Sequence, residues 1–252
     1  MNKGLELLAL TEQLEASKGW KIFNEIKMLA TSYFIFAGNY QELKKAIDVF
    51  QNPKTSKNLW AVENRDKLDA LLEEIIRLFH NFISSVMSLV DHTRSFAKKM
   101  YKNSEFFDEY SVRVGSQFKN SAFSNFVQDL RDYTLHKGLP MFSATLTLNT
   151  KLESSVMLNV KKLRSWEKWS KKAKEHIDTL GDEIRLDELI DSYRLLVIDF
   201  YNWFGKRQEE FHKKEIEEVT KLQNRIRLWL DRHNKKETKM MHAVIKNTKN
   251  NK

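Results

Sequence analysis

The chain has 252 residues, 41% of them apolar, with two prolines, seven glycines and no cysteine. That length permits one large domain or two small ones around a sizeable core, and the scarcity of breakers favours helix. The lack of cysteine excludes disulfide frameworks, Cys-based zinc sites, iron–sulfur ligation and thiol nucleophiles, and it fits a reducing cytoplasm. With 43 Lys+Arg against 34 Asp+Glu the formal charge is +9, which points towards polyanionic partners. The charge is uneven: residues 219–252 carry a net +8, leaving the rest at only +1.

In chain order, the first residues lack a secretory layout because Glu6, Glu12 and Glu15 interrupt the leucines. Leu5, Leu8 and Leu14, then Trp20, Phe23, Ile26 and Leu29, recur at three- and four-residue spacing. With Gly19 and Gly38-Asn39 as breaks, this predicts two or three short helices. Residues 51–58, with Pro53 and little apolar content, read as a loop. From 64 to 101 a wide apolar face, including Leu68, Ile75, Phe79, Phe82 and Val86, predicts a long central helix. Helices over 106–118 and 122–136 follow. The most apolar windows, 32–38 and 78–90, fall well short of the ~20 apolar residues of a spanning helix, so no membrane segment is expected.

After Gly138-Leu139-Pro140 the alternation over 142–149 and 155–160 predicts a β-hairpin. Helix resumes near Arg164, stops at Leu180-Gly181, and returns over 186–233. The expected fold is mainly α: a multi-helix bundle with a small β-hairpin insertion, here 141–161, after the helix that ends at His136. One domain is expected over 1–218, with 1–50 as an N-terminal helical extension, followed by a basic, helical or disordered arm over 219–252.

The sequence carries no Gly-rich phosphate loop, no His-Glu-x-x-His and no acidic calcium loop, so no metal and no cofactor are expected. One segment stands out, Arg131-Asp132-Tyr133-Thr134-Leu135-His136, preceded by Phe126-Val127 and Leu130 and followed by Gly138-Leu139-Pro140. It resembles the signature of the HEPN superfamily of helical-bundle ribonucleases: an arginine, often a polar residue, then a histidine after four to six intervening residues. Arg207…His212 and Arg227…His233 share the spacing but stand among charged residues and in the basic arm. On a helix at about 100° per residue, Phe123, Phe126, Val127, Leu130 and Thr134 share one face, while Asp132 and His136 lie one turn apart on the other. Asp132 is thus placed to orient His136. Arg131 stands roughly 140° round from His136, too far for one phosphate to meet both within one chain.

The resemblance implies a homodimer with motifs facing across a cleft, Arg131 of one chain working beside His136 of the other. It also implies a metal-independent endoribonuclease in a toxin or antiphage-defence setting, with RNA as substrate and an antitoxin or regulatory protein as partner. In that chemistry an RNA 2′-hydroxyl attacks the adjacent phosphorus, His136 moves a proton and Arg131 stabilises the phosphorane. Asp132 stands where the family often carries an amide, adding negative charge beside the phosphate. The same residues also fit a non-catalytic helical RNA-binding or protein-interaction module with a degenerate site. Lys161, Lys162, Arg164, Lys168 and Lys171 form a basic stretch suited to RNA phosphates or simply to solvent. His92 offers a second titrating group. Trp166, Trp169, Trp203 and Trp229 fit base stacking, but their helical spacing beside leucines favours core or dimer contacts.

Overall fold

Ten α-helices and one three-stranded antiparallel sheet occupy the described residues. The computed structural model describes the backbone at residues 3–148 and 152–249, and the side chains at 4–147 and 152–233. Contacts divide the chain into two compact units, Leu29–Gly205 and the two chain ends, Met1–Met28 with Lys206–Lys252. The boundary drawn from charge at 218/219 falls within the second of these.

The helices α1 (Lys3–Ala16) and α2 (Lys18–Gln51) open the chain. The expected break at Gly38 does not occur, because a single glycine costs a helix only ~1 kcal/mol against alanine while the flanking Phe36, Tyr40 and Leu43 are buried. The expected loop over 51–58 is also helical: α3 spans Pro53–Leu59. Asn52 caps it by accepting from the Lys54 N–H at 3.0 Å, and proline sits at the first position, where its missing N–H costs nothing.

A 3₁₀ turn (Val62–Asn64) leads into α4 (Arg65–Tyr101), the central helix of the larger unit. Its buried face includes Leu68, Ile75, Phe79, Phe82, Ile83, Val86 and Leu89, as the periodicity required. Next come α5 (Glu105–Val114), a π-helical turn (Gly115–Lys119) and α6 (Ala122–His136). The strands β1 (Phe142–Leu148) and β2 (Leu152–Asn159) form the expected hairpin, with Phe142 opposite Leu158; Asn149, expected as the last strand residue, lies outside the described residues. Val156 and Leu158 of β2 are fully buried, and Phe142 meets Phe79 of α4 edge-on at 5.2 Å.

The short α7 (Val160–Leu163) and α8 (Lys171–Thr179) precede β3 (Glu183–Arg185), which pairs with β2. Three residues are too few to show a period, so this strand left no sequence signal. The last expected helix is two, α9 (Leu186–Phe211) and α10 (Lys213–Lys249), separated at His212. The backbone of the basic arm is helical to Lys249; its side chains after His233 and its residues 250–252 lie outside the described residues.

In the smaller unit α1 packs on α10 through Leu14, Val219 and Leu222, with Trp20 and Ile226 beside them. Lys18 pairs with Glu215 at 2.7 Å. Gly19, expected as a helix break, is instead a point of close approach: a Cβ there would stand 2.5 Å from the Glu215 carbonyl oxygen and 2.5 Å from Val219 Cγ2.

Candidate functional site

The motif helix α6 begins at Ser121, whose hydroxyl accepts from the Ser124 N–H at 3.1 Å. Ser124, Phe126, Val127, Leu130 and Tyr133 are buried. Tyr133 takes the inward place expected of Thr134, whose hydroxyl instead donates back to the Arg131 carbonyl at 2.7 Å. Helix α8 lies against the buried side: the Ser170 N–H donates to Asp129 Oδ2 at 2.7 Å, and His176 packs on the rings of Phe123 and Phe126 at 5.4 and 5.3 Å. Burial in this aromatic setting holds the His176 imidazole below its ordinary pKa.

The opposite side of α6 carries the motif. Arg131 and Asp132 are half-exposed and His136 is exposed. Arg131 Nη1 donates to Asp132 Oδ1 at 3.1 Å. The sequence expectation that Asp132 orients His136 is therefore corrected: the carboxylate engages the arginine next to it, and His136 makes no hydrogen bond or ion pair among the described residues. The reason is local. Arg131 has a long, forked donor that bends back to its neighbour, whereas the imidazole ends a short side chain one turn away.

Beyond His136 the helix closes with the Lys137 and Gly138 N–H groups both donating to the Tyr133 carbonyl, at 2.9 and 3.2 Å. Gly138 has φ +135°, a conformation that side chains with a Cβ rarely adopt. This turn leaves Leu135, Leu139 and Met141 exposed around the motif.

The other candidate residues separate clearly. Lys161, Lys162, Lys168 and Lys171 are exposed. Arg164 serves the fold, pairing with Asp182 at 2.8 Å and donating to the carbonyls of Leu180 and Gly181, which ties it to the segment after α8. His92 stands within α4, where its Nδ1 is hydrogen-bonded to Ser32 Oγ at 2.7 Å. Trp166 and Trp169 pack on each other and on Tyr133, and Trp203 lies against Phe106 and Phe200. Trp229 stacks on His233 and donates to Glu6 at 3.2 Å.

Of the two alternative Arg…His pairs, His212 is buried rather than solvated, and that burial lowers its pKa; Arg207 pairs with Glu210 at 2.9 Å. His233 Nδ1 is hydrogen-bonded to the Trp229 carbonyl at 2.8 Å. Among the described residues no group of three or more His, Asp or Glu is placed to hold a metal ion, and no helix is long and apolar enough to cross a membrane. No protein-family model, curated protein or solved structure matches the chain.

Proposed function

We propose that the chain is a metal-independent endoribonuclease of toxin or antiphage-defence type, acting as a homodimer with Arg131 and His136 of opposite chains at one cleft. The observation that carries this reading is the two-sidedness of α6. One side is anchored in the core by Phe126, Val127, Leu130 and Tyr133, while the other offers a guanidinium and an imidazole to solvent. A rigid helix with its reactive groups outward is what a site completed by a second copy requires. The exposed apolar residues Leu135, Leu139 and Met141 border the motif and suit burial against that copy.

In this reaction the 2′-oxygen forms a bond to phosphorus as the bond to the 5′-oxygen breaks. His136 accepts the 2′-hydroxyl proton or, when protonated, supplies one to the leaving 5′-oxygen. Arg131 exchanges Asp132 for two phosphate oxygens as charge builds on the phosphorane. The products are a 2′,3′-cyclic phosphate and a 5′-hydroxyl end. DNA lacks the internal nucleophile and resists. The exposed Lys161, Lys162, Lys168 and Lys171 suit contacts to the RNA backbone.

The test is incubation of the purified protein with single-stranded RNA, transfer RNA and DNA of matched sequence. Cleavage of RNA alone, ending in cyclic phosphate and abolished by His136→Ala, supports the reading; intact RNA from the unmodified protein refutes it. The Arg131–Asp132 ion pair favours a second reading, a non-catalytic RNA-binding or protein-interaction module in which the guanidinium already has an anionic partner. An RNA-binding form of that module retains RNA with a steep salt dependence and no cleavage.

A further inference from the structure

The larger unit holds a cavity of about 190 Å³ between α2, α4, α5, the π-helical turn, α6 and α9. Its walls are apolar at Phe36, Val86, Leu89, Val197 and Phe200. Arg94 and Lys119 also line it and are exposed, and no Asp or Glu is among the lining residues. Among the described residues Arg94 is paired only with Asp91, at 3.3 Å and with both side chains largely exposed, a contact weak enough to yield to another anion. Lys119 ends the π-helical turn, a local geometry that recurs at functional sites. The turn is held open by Asn125, whose amide donates to the carbonyls of Phe118, Lys119 and Ser121 at 3.1, 3.2 and 2.7 Å.

Among the described residues the cavity walls hold one fully buried hydroxyl without a partner. Thr93 donates to the Leu89 carbonyl at 2.6 Å, so in the Thr93–Tyr201 hydrogen bond the phenol is the donor. The hydroxyl without a hydrogen-bond partner among the described residues is that of Tyr193, which is 1% exposed. A buried hydroxyl left unpaired costs free energy and marks the cavity as imperfectly filled by the chain itself.

We propose that this cavity binds a small amphipathic anion, an aromatic or branched aliphatic body carrying one carboxylate, with the body among the apolar walls and the carboxylate at Arg94 and Lys119. Size supports the class: a cavity of ~150 Å³ admits benzene, so about 190 Å³ admits a ring with a short arm. The walls bring two cations and no carboxylate of their own; Asp91, outside the lining, holds Arg94 only through an exposed pair. The proposal stands independently of the RNA reading.

The probe is 3-phenylpropionate against the full chain, followed by calorimetry and thermal melting, with 3-phenylpropan-1-ol as the neutral match. Binding by the acid is expected, with the alcohol at least about tenfold weaker because it forgoes the charge-assisted contacts. The exposed-site double variant Arg94→Met/Lys119→Met is expected to lose at least about tenfold in affinity for the acid while keeping its melting temperature. Val90→Trp, placed at a half-buried wall position, is expected to abolish binding. Should that variant melt without cooperativity, intermolecular nuclear Overhauser contacts from the ligand ring to the Leu89 and Val197 methyls replace it. No binding at millimolar concentration, equal binding of the alcohol, undiminished binding by the double variant, or absence of those contacts overturns the proposal.

Discussion

Arg131 and Asp132 form an ion pair at 3.1 Å on the outer side of α6, so the guanidinium assigned to phosphate is held by a carboxylate adjacent in sequence. Both side chains are more than a third exposed, which makes the pair weak and exchangeable. Asp132→Asn removes the competitor. RNA affinity of this variant is expected to rise by about two- to fivefold, the equivalent of ~0.5–1 kcal/mol of surface ion pairing. Unchanged or weaker retention in a filter-binding titration means that Asp132 does not restrain Arg131.

His176 gives the larger unit an acid-side sensitivity. Its pKa is lowered by burial against Phe123 and Phe126, so the fold favours the neutral ring while the unfolded chain takes up a proton at the ordinary value near ~6.5. Its contribution to stability is complete above that value and is lost as pH falls through the lower folded pKa. Chemical denaturation between pH 7.5 and 5 is expected to show falling stability in the parent and a shallower fall in His176→Leu. Identical slopes contradict this role.

A second acid-side effect comes from Asp187 at the start of α9. Burial acts to raise its pKa, but Arg185 at 2.8 Å and Gln51 at 3.0 Å, with Lys44 nearby, hold it below the usual carboxylate range. A depressed carboxylate contributes stability above its unfolded pKa and loses it as pH falls through the folded one. Asp187→Asn is therefore expected to cost about 1–3 kcal/mol near neutrality, with the gap to the parent closing below pH ~4. A deficit that persists unchanged at pH 3 assigns the loss to packing instead.

Three glycines in unlike settings give a graded test by thermal melting. Gly19→Ala sets a Cβ against the Glu215 carbonyl, a backbone atom that cannot swing away, and is expected to loosen α1 and α2 from α10. Gly138→Ala meets no neighbour but must adopt φ +135°, at a cost of about 1–3 kcal/mol. Gly38→Ala, mid-helix with open space around it, is expected to stabilise by about 0.5–1 kcal/mol. Stabilisation by alanine at Gly19 contradicts the close approach.

The long-range pattern was legible where one face repeats over many turns. Helix α4 and, apart from Tyr133 in place of Thr134, the buried side of α6 follow from spacing alone, as does the hairpin from its alternation. Single punctuating residues misled. Gly38 and Pro53 act through their exact place in a helix, one surrounded by buried aromatics and the other at a first position, and composition does not reveal that place. Short β3 and buried His212 depend on partners far along the chain. At the candidate site the exposure of His136 was legible from the helix wheel, but the Arg131–Asp132 pairing was not, because a wheel places Cβ atoms and ignores the reach of a long side chain. The cavity with Arg94, Lys119 and Tyr193 joins residues as far apart as Phe36 and Tyr201 and had no sequence signal.

The most direct test of the proposed site is complementation between two inactive variants, Arg131→Ala and His136→Ala, unfolded together and refolded as a mixture. Each alone is expected to lose at least ~10²-fold in RNA cleavage while keeping the parent melting temperature. If Arg131 of one chain works beside His136 of the other, a mixed dimer rebuilds one intact cleft, and the mixture recovers about a quarter of parental activity. A mixture as inactive as its components, from variants shown to form mixed dimers, contradicts the shared cleft.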